Sequence, residues 1–184
     1  ETVILVAHGD GDDAQDGLDK LVETAKKQGK VKPTRIELAK ATVGDFETWL
    51  KDADTLKGGG GNDVYLVDQS GDVVVEAAAA GDDTVQSAVS YALAANVEHL
   101  TLTGNANNFG VGNELANALT GNSGENLLIG WGGIDTINGG AARDALFGVE
   151  GDDVLNGEAG IDYIVAGNGN DTINGGADAD EIYG

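Results

Sequence analysis

Residues 130–138 read GWGGIDTIN, residues 148–156 GVEGDDVLN and residues 166–174 AGNGNDTIN. Interleaved with them are GGAARDALF at 139–147, GEAGIDYIV at 157–165 and GGADADEIY at 175–183. With GNELANALT at 112–120 and GNSGENLLI at 121–129 they make eight nine-residue rows without an insertion. The sixth column is Asn117, Asn126, Asp135, Asp144, Asp153, Asp162, Asp171 and Asp180. The eighth is Leu119, Leu128, Ile137, Leu146, Leu155, Ile164, Ile173 and Ile182, and the first is Gly except at Ala166. A merely solvated acidic surface has no reason to keep such a phase, so the period encodes structure.

Each row divides into a six-residue turn and a three-residue strand. Glycine at columns one, two and four permits positive φ, which lets a tight turn aim its carbonyl oxygens inward. In a three-residue strand only the middle side chain points to one side, which accounts for the aliphatic eighth column. Two rows make one coil of 18 residues, so like turns stack every second row. Asp135, Asp153 and Asp171 then line one edge, and Asn126, Asp144, Asp162 and Asp180 the other. Carboxylates stacked about 5 Å apart at an effective dielectric near 20 repel by roughly 3 kcal/mol per neighbouring pair. A hard divalent cation between coils reverses that sign, and an all-oxygen ligand set is the one calcium prefers.

The G-G-x-G-x-D-x-U-x nonapeptide resembles the RTX (repeats-in-toxin) calcium-binding family. The resemblance implies a mainly β fold, the haemolysin-type parallel β-roll (a right-handed parallel β-helix of nonapeptide repeats), beside a small N-terminal α/β segment. It also implies calcium between stacked turns, held by aspartate pairs and turn carbonyls. Carried over residue by residue, the expected sites lie between Asp135 and Asp153, Asp153 and Asp171, Asp144 and Asp162, and Asp162 and Asp180. Asn126 with Asp144 makes a fifth, weaker one. The turn glycines are Gly133, Gly151, Gly169, Gly140, Gly160 and Gly176, and Asp63 and Asp83 supply ligands in an earlier block, for about four to six Ca²⁺ in all. Ala142 and Asp178 replace the fourth-column glycine, and Ala166 the first. RTX proteins leave Gram-negative bacteria unfolded through the type I secretion apparatus and fold outside, which implies a secreted or cell-surface location.

Acids outnumber bases 32 to 10, for a formal charge of −22. Beyond Lys57 the one base is Arg143 against 20 acids. Such a chain repels nucleic acid and anionic lipid and calls for cations. Absence of cysteine excludes disulfides and thiolate metal sites. No apolar run is long enough to span a membrane.

Three regions are expected: 1–50, the end of a truncated α/β domain; 51–111, degenerate repeats and connecting strands; and 112–184, the regular roll. In the first, Thr2 to Ala7 reads as a strand, Leu18 to Lys27 as a helix, Ile36 to Leu38 as a second strand and Asp45 to Leu50 as a short helix. Asp12 to Glu23 matches an EF-hand loop at the first, fifth, sixth and twelfth positions but not at Ala14 or Asp19, so an acidic helix N-terminus accounts for it better. In the second, GGGGNDVYL at 58–66 is a repeat, followed by Asp72 with Val74 and, after a two-residue insertion, Asp83 with Val85. From Ser87 to Val111 the register is lost, and Tyr91 to Leu102 is expected to form longer strands joining two blocks. Gly184 opens a further row, so the sequence reads as a fragment of a longer protein.

Columns seven and nine face outward. One sheet would show Thr136, Asn138, Val154, Asn156, Thr172 and Asn174; the other shows Leu127, Ile129, Ala145, Phe147, Tyr163, Val165 and Tyr183. The second strip is more apolar than a roll leaves bare, so packing against another segment or self-association is expected there. No His-Glu-x-x-His and no Gly-x-Ser-x-Gly occurs, so no catalytic motif lies in this chain. These readings converge on a calcium-binding structural and secretion module of a large extracellular adhesin or surface-layer type protein. The alternative is the C-terminal roll of a secreted protease, lipase or polysaccharide-acting enzyme whose catalytic domain lies elsewhere.

Overall fold

The computed structural model describes residues 55–184 together with the short strand at 3–4. The helices expected at 18–27 and 45–50, the strand at 36–38 and the EF-hand-like loop at 12–23 lie outside the described residues. Within them the chain is an all-β solenoid of parallel strands, with no helix.

Three sheets carry the coils. The largest stacks β3 (Val64–Val67), β5 (Thr84–Ser87), β7 (His99–Leu102), β9 (Ala118–Thr120), β11 (Thr136–Ala141), β13 (Val154–Ala159) and β15 (Thr172–Asn174). Opposite it lie β6 (Tyr91–Ala92), β8 (Phe109–Val111), β10 (Leu127–Gly132), β12 (Ala145–Glu150), β14 (Tyr163–Asn168) and β16 (Glu181–Tyr183). A small third sheet joins β1 (Val3–Ile4), β2 (Thr55–Leu56) and β4 (Val73–Val74).

The eighth column forms the core. Leu119, Leu128, Ile137, Leu146, Leu155 and Ile164 are fully buried and alternate between the two large sheets, so each coil contributes one side chain from either side. Ile182, on the edge strand β16, is 45% exposed. Tyr65 and Val85 continue the same buried file toward the N-terminus.

Two expectations need correction. Tyr91 to Leu102 does not form long connecting strands between two blocks; it is one more coil, carrying the two-residue β6 and the four-residue β7. The inward file runs unbroken through Val85, Leu100, Leu119 and Ile137. What changes is coil length: Val85 pairs with Leu100, 15 residues on, and Leu100 with Leu119, 19 on, against the regular 18. Turns absorb insertions and deletions while the core position stays fixed, so a nine-residue frame loses phase where the solenoid does not. Gly110 takes an inward position here, and a Cβ on it would press against Leu100 and Leu128, which already fill that space.

The strands of the regular coils are also longer than three residues. From β10 to β14 each spans six, continuing past the first-column residue into columns two and three of the next row. Pairing passes from Ile129↔Phe147 to Trp131↔Val149 and omits Gly130 and Gly148, so the ladder is interrupted only at the first column.

Outward positions fall as expected. On one sheet Thr136 and Thr172 are exposed and Asn156 donates to Asn138 across coils at 2.9 Å. On the other, Ile129, Phe147, Tyr163 and Val165 are half-buried and Tyr183 is exposed. Phe147, Tyr163 and Tyr183 form a tilted aromatic file with ring centroids 6.0 and 5.7 Å apart.

Truncating the core file should be costly and truncating the outward one should not. Ile137→Ala is expected to lose about 2–5 kcal/mol, and the exposed Thr136→Ala less than about 0.5 kcal/mol. Denaturant unfolding at saturating calcium measures both, and equal losses would contradict the inward assignment.

Candidate metal centre

Asp135, Asp144, Asp153 and Asp162 are buried and Asp171 and Asp180 half-buried, although a carboxylate is among the groups least often found inside. Each uses one oxygen in the same way. The backbone N–H of Asp135 donates to Asp153 Oδ1 at 2.8 Å, Asp153 to Asp171 at 2.9 Å, Asp144 to Asp162 at 2.8 Å and Asp162 to Asp180 at 3.0 Å. Asn117 and Asn126 donate likewise to Asp135 and Asp144. The two ladders expected from the spacing therefore exist, each carboxylate reaching back one coil.

The second oxygen behaves differently. Oδ2 of Asp135, Asp144, Asp153 and Asp162 is buried, and no hydrogen-bond donor among the described residues reaches it. It sits over the first-column Cα of its own row, where the first-column carbonyl of the next coil also arrives. A Cβ on Gly139 would stand 2.9 Å from Asp144 Oδ2 and 2.7 Å from the Gly157 carbonyl. On Gly148 it would overlap Asp153 Oδ2 and press on the Ala166 carbonyl, and on Gly157 it would overlap Asp162 Oδ2 and the Gly175 carbonyl. First-column glycine thus leaves room for a carboxylate oxygen and a carbonyl oxygen that both border the space a Cβ would fill, the carboxylate one without a donor among the described residues.

The turns keep this arrangement by left-handed backbone. Column two is left-handed at Trp131 (φ 82°), Val149 (91°) and Glu158 (75°), as well as at Gly140 and Gly176. Column four is left-handed at Gly133, Gly151, Gly160 and Gly169, and also at Ala142 (75°) and Asp178 (77°), so the two replacements hold the same turn at a conformational cost. At Gly151 sterics add to conformation, since a Cβ there would overlap the Gly133 carbonyl one coil below; Gly169 stands in the same relation to Gly151.

Rows 112–120 and 121–129 solve the same problem with amides. The N–H groups of Asn113 and Asn122 donate to Oδ1 of Asn117 and Asn126 at 2.6 and 2.7 Å. The Asn113 side-chain amide donates to the carbonyls of Ala94 and Val97, and that of Asn122 to Thr103 and Ala106. Asn126 Nδ2 donates to the Asn108 carbonyl at 3.3 Å, so both ends of that side chain have protein partners. Asparagine N–H groups stand here where the aspartate rows have none.

Toward the N-terminus Asp63 and Asp83 stack in the same way, with the Asp63 N–H donating to Asp83 Oδ1 at 2.8 Å. Glu98 was not singled out from the sequence, yet its Oε2 accepts the Asp83 N–H at 2.8 Å, the role a sixth-column aspartate plays elsewhere. Its coil is three residues short of the usual length, which hides it from a nine-residue frame; the signal was its place two residues before the inward Leu100.

Burial makes these acids reluctant to ionise and outweighs the backbone N–H each accepts; the carboxylate of the next coil adds to it at Asp135, Asp144, Asp153 and Asp162, and Glu76 and Asp82 add to it at Asp83. Asp135 is pushed up to about 6 and Asp144 to about 7, and Asp83, Asp153 and Asp162 move the same way. Folding without metal therefore either binds protons or buries uncompensated charge. The oxygen-only donor set, the buried oxygens without donors and the cradle over the first-column glycines fit a hard divalent cation.

Because the folded values lie above the ordinary 3.8, their contribution to stability is present at low pH and is lost as pH rises through about 6–7. In chelator the β signal by circular dichroism should be greater at pH 5 than at pH 8, and a pH-independent signal would contradict this. Ala142→Gly should stabilise the calcium-loaded roll by about 1 kcal/mol, whereas Gly151→Ala should destabilise it by more than that. Thermal unfolding at saturating calcium compares them, and the opposite order would overturn the turn geometry.

Residues 50–74, 111–146 and 147–182 match the RTX calcium-binding nonapeptide repeat (4 copies), together more than half of the chain. The chain is also 44% identical over 70 residues to the endo-1,3-1,4-beta-glycanase ExsH of Rhizobium meliloti (strain 1021), covering 38% of this chain and 15% of that protein. It is 35% identical over 82 residues to the endo-1,3-1,4-beta-glycanase EglC of the same strain, covering 44% of this chain and 17% of that one. The chain thus corresponds to a small part of the relatives it matches. A β-roll of nonapeptide coils edged by stacked aspartates, matched over more than half its length by this repeat, belongs to the RTX calcium-binding repeat family, whose repeats bind calcium.

Proposed function

We propose that this chain is a calcium-dependent folding module of a secreted protein. The observation that carries the reading is the buried Oδ2 of Asp135, Asp144, Asp153 and Asp162, each facing carbonyl oxygens with no donor at hand. A calcium ion between stacked turns turns that repulsion into attraction, and coupling metal to folding makes the roll conditional on its surroundings. The ligating pairs are Asp135 with Asp153, Asp153 with Asp171, Asp144 with Asp162, and Asp162 with Asp180. Asn126 ranks below them because its amide is engaged by the protein. With the N-terminal block this makes about four to six ions, at extracellular-type affinities of about 10⁻⁴–10⁻³ M. Such a module stays unfolded in a calcium-poor cytosol, crosses the type I secretion apparatus of a Gram-negative cell, and folds outside.

Of the two parents left open by the sequence, adhesin or hydrolase, the names of the relatives favour a polysaccharide-acting one. The roll itself then serves secretion and stability, and catalysis resides in another part of the parent. The apolar strip of Ile129, Phe147, Tyr163, Val165 and Tyr183 is its packing face toward another segment or a second copy.

Asp153 takes part in two of the assigned sites, so Asp153→Asn should raise the calcium concentration at half-maximal β signal by at least about tenfold. Asp152→Asn, which removes the same charge from an exposed neighbour, should shift it by less than about twofold. Circular dichroism against calcium, with magnesium as control, reads both. Equal shifts, or folding in magnesium alone, would overturn the reading.

A further inference from the structure

Among the described residues one trio of acids joins two turn aspartates to a glutamate from outside the acidic column. One oxygen each from Asp63, Glu76 and Asp83 lie within 4.8 Å of one another. Asp63 and Asp83 are sixth-column residues, but Glu76 belongs to no acidic column. It directly follows the outward Val75, at the first-column position that glycine holds in the regular rows, and the turn from it to Asp83 is two residues longer than usual. The Tyr65 hydroxyl donates to Glu76 Oε2 and accepts the Gly58 N–H at 2.9 Å, which fixes the glutamate over the bend. Over Gly58, Asp63 Oδ2 and the Tyr65 hydroxyl converge so closely that a Cβ would overlap both. Independently of the clustering, Asp83 is fully buried and its Oδ2 has no hydrogen-bond donor among the described residues.

We propose that Asp63, Glu76 and Asp83 bind a divalent cation of the calcium type in a three-carboxylate site, held by Tyr65 through Glu76, that fills before the two-carboxylate sites of the regular turns. The inference rests on the reading of the roll as calcium-binding and goes beyond it in assigning a ligand outside the nonapeptide and an order of filling. Three formal negative charges around one position outweigh two, and in oxygen-ligand sites charge count and rigidity set the affinity. The site lies at the N-terminal end of the large sheet, on β3 and β5, so an ion there would fix the first stacked pair of coils on which the rest can build.

The test is calorimetric titration of the whole chain with calcium. The parent is expected to bind one ion at least about tenfold more tightly than the remainder. Glu76→Gln should lose that tight phase and one ion per chain while reaching the parent's β signal at high calcium. Glu98→Gln, which removes a nearby charge but keeps an oxygen for the Asp83 N–H, should retain the tight phase. An unchanged tight phase in Glu76→Gln, or its equal loss in Glu98→Gln, would overturn the site. If Glu76→Gln does not fold, Tyr65→Phe decides by terbium luminescence excited through tyrosine. Emission from the first equivalent of Tb³⁺ should fall severalfold in that variant, and unchanged emission overturns the proposal. A parent chain that binds no calcium would sink both this site and the folding module; uniform binding that ignores Glu76 would sink this site alone.

Discussion

Everything in this roll depends on what faces the second oxygen of a buried aspartate. The first oxygen accepts a backbone N–H from the adjacent coil and so knits the stack. The other is buried without a donor among the described residues, beside a glycine whose missing Cβ also leaves room for a carbonyl of the next coil. Two acceptors in that position repel, and an unsatisfied buried carboxylate costs more than one ordinary hydrogen bond returns. The same atoms are an attractive host for a hard cation. In the proposed function, stability of the fold is thereby linked to its ionic surroundings.

The two asparagine rows make the contrast chemical. Asn113, Asn117, Asn122 and Asn126 occupy equivalent turns, their side-chain amides donate to carbonyls of the preceding coil, and Oδ1 of Asn117 and of Asn126 accepts a backbone N–H of its own row where the aspartate Oδ2 has no donor. Neither Asn113 nor Asn122 is among the left-handed residues, whereas Trp131, Val149 and Glu158 hold the corresponding position at positive φ. The turns whose oxygens have protein donors keep ordinary backbone at this column, and those with an unpartnered carboxylate oxygen carry the left-handed strain. The middle of the solenoid thus satisfies its turn oxygens with protein donors, and the proposed calcium dependence falls on the aspartate coils beyond it.

Where the period is strict, the sequence was transparent: the aliphatic eighth column is the core, the sixth column forms two edge ladders, and the outward faces divide as their side chains suggest. It was opaque where length varies. Leu100 belongs to the core file and Glu98 to the acidic edge, but a coil of 15 residues shifts both out of phase, and Tyr91 to Leu102 then resembles a connector. Glu76 was missed for a related reason, since a longer turn places it beside Asp63 and Asp83, which no local pattern announces. Strand length was underestimated because pairing resumes past the first-column residue, a property of the stacked backbone that a single row does not display.

Amide hydrogen exchange of the whole chain, in millimolar calcium and in excess chelator at neutral pH, tests the central claim most directly. In calcium the amides of Leu128, Ile137, Leu146, Leu155 and Ile164 should be protected together. In chelator that protection should vanish from the aspartate coils carrying Leu146, Leu155 and Ile164. Undiminished protection of those three without calcium would contradict the account.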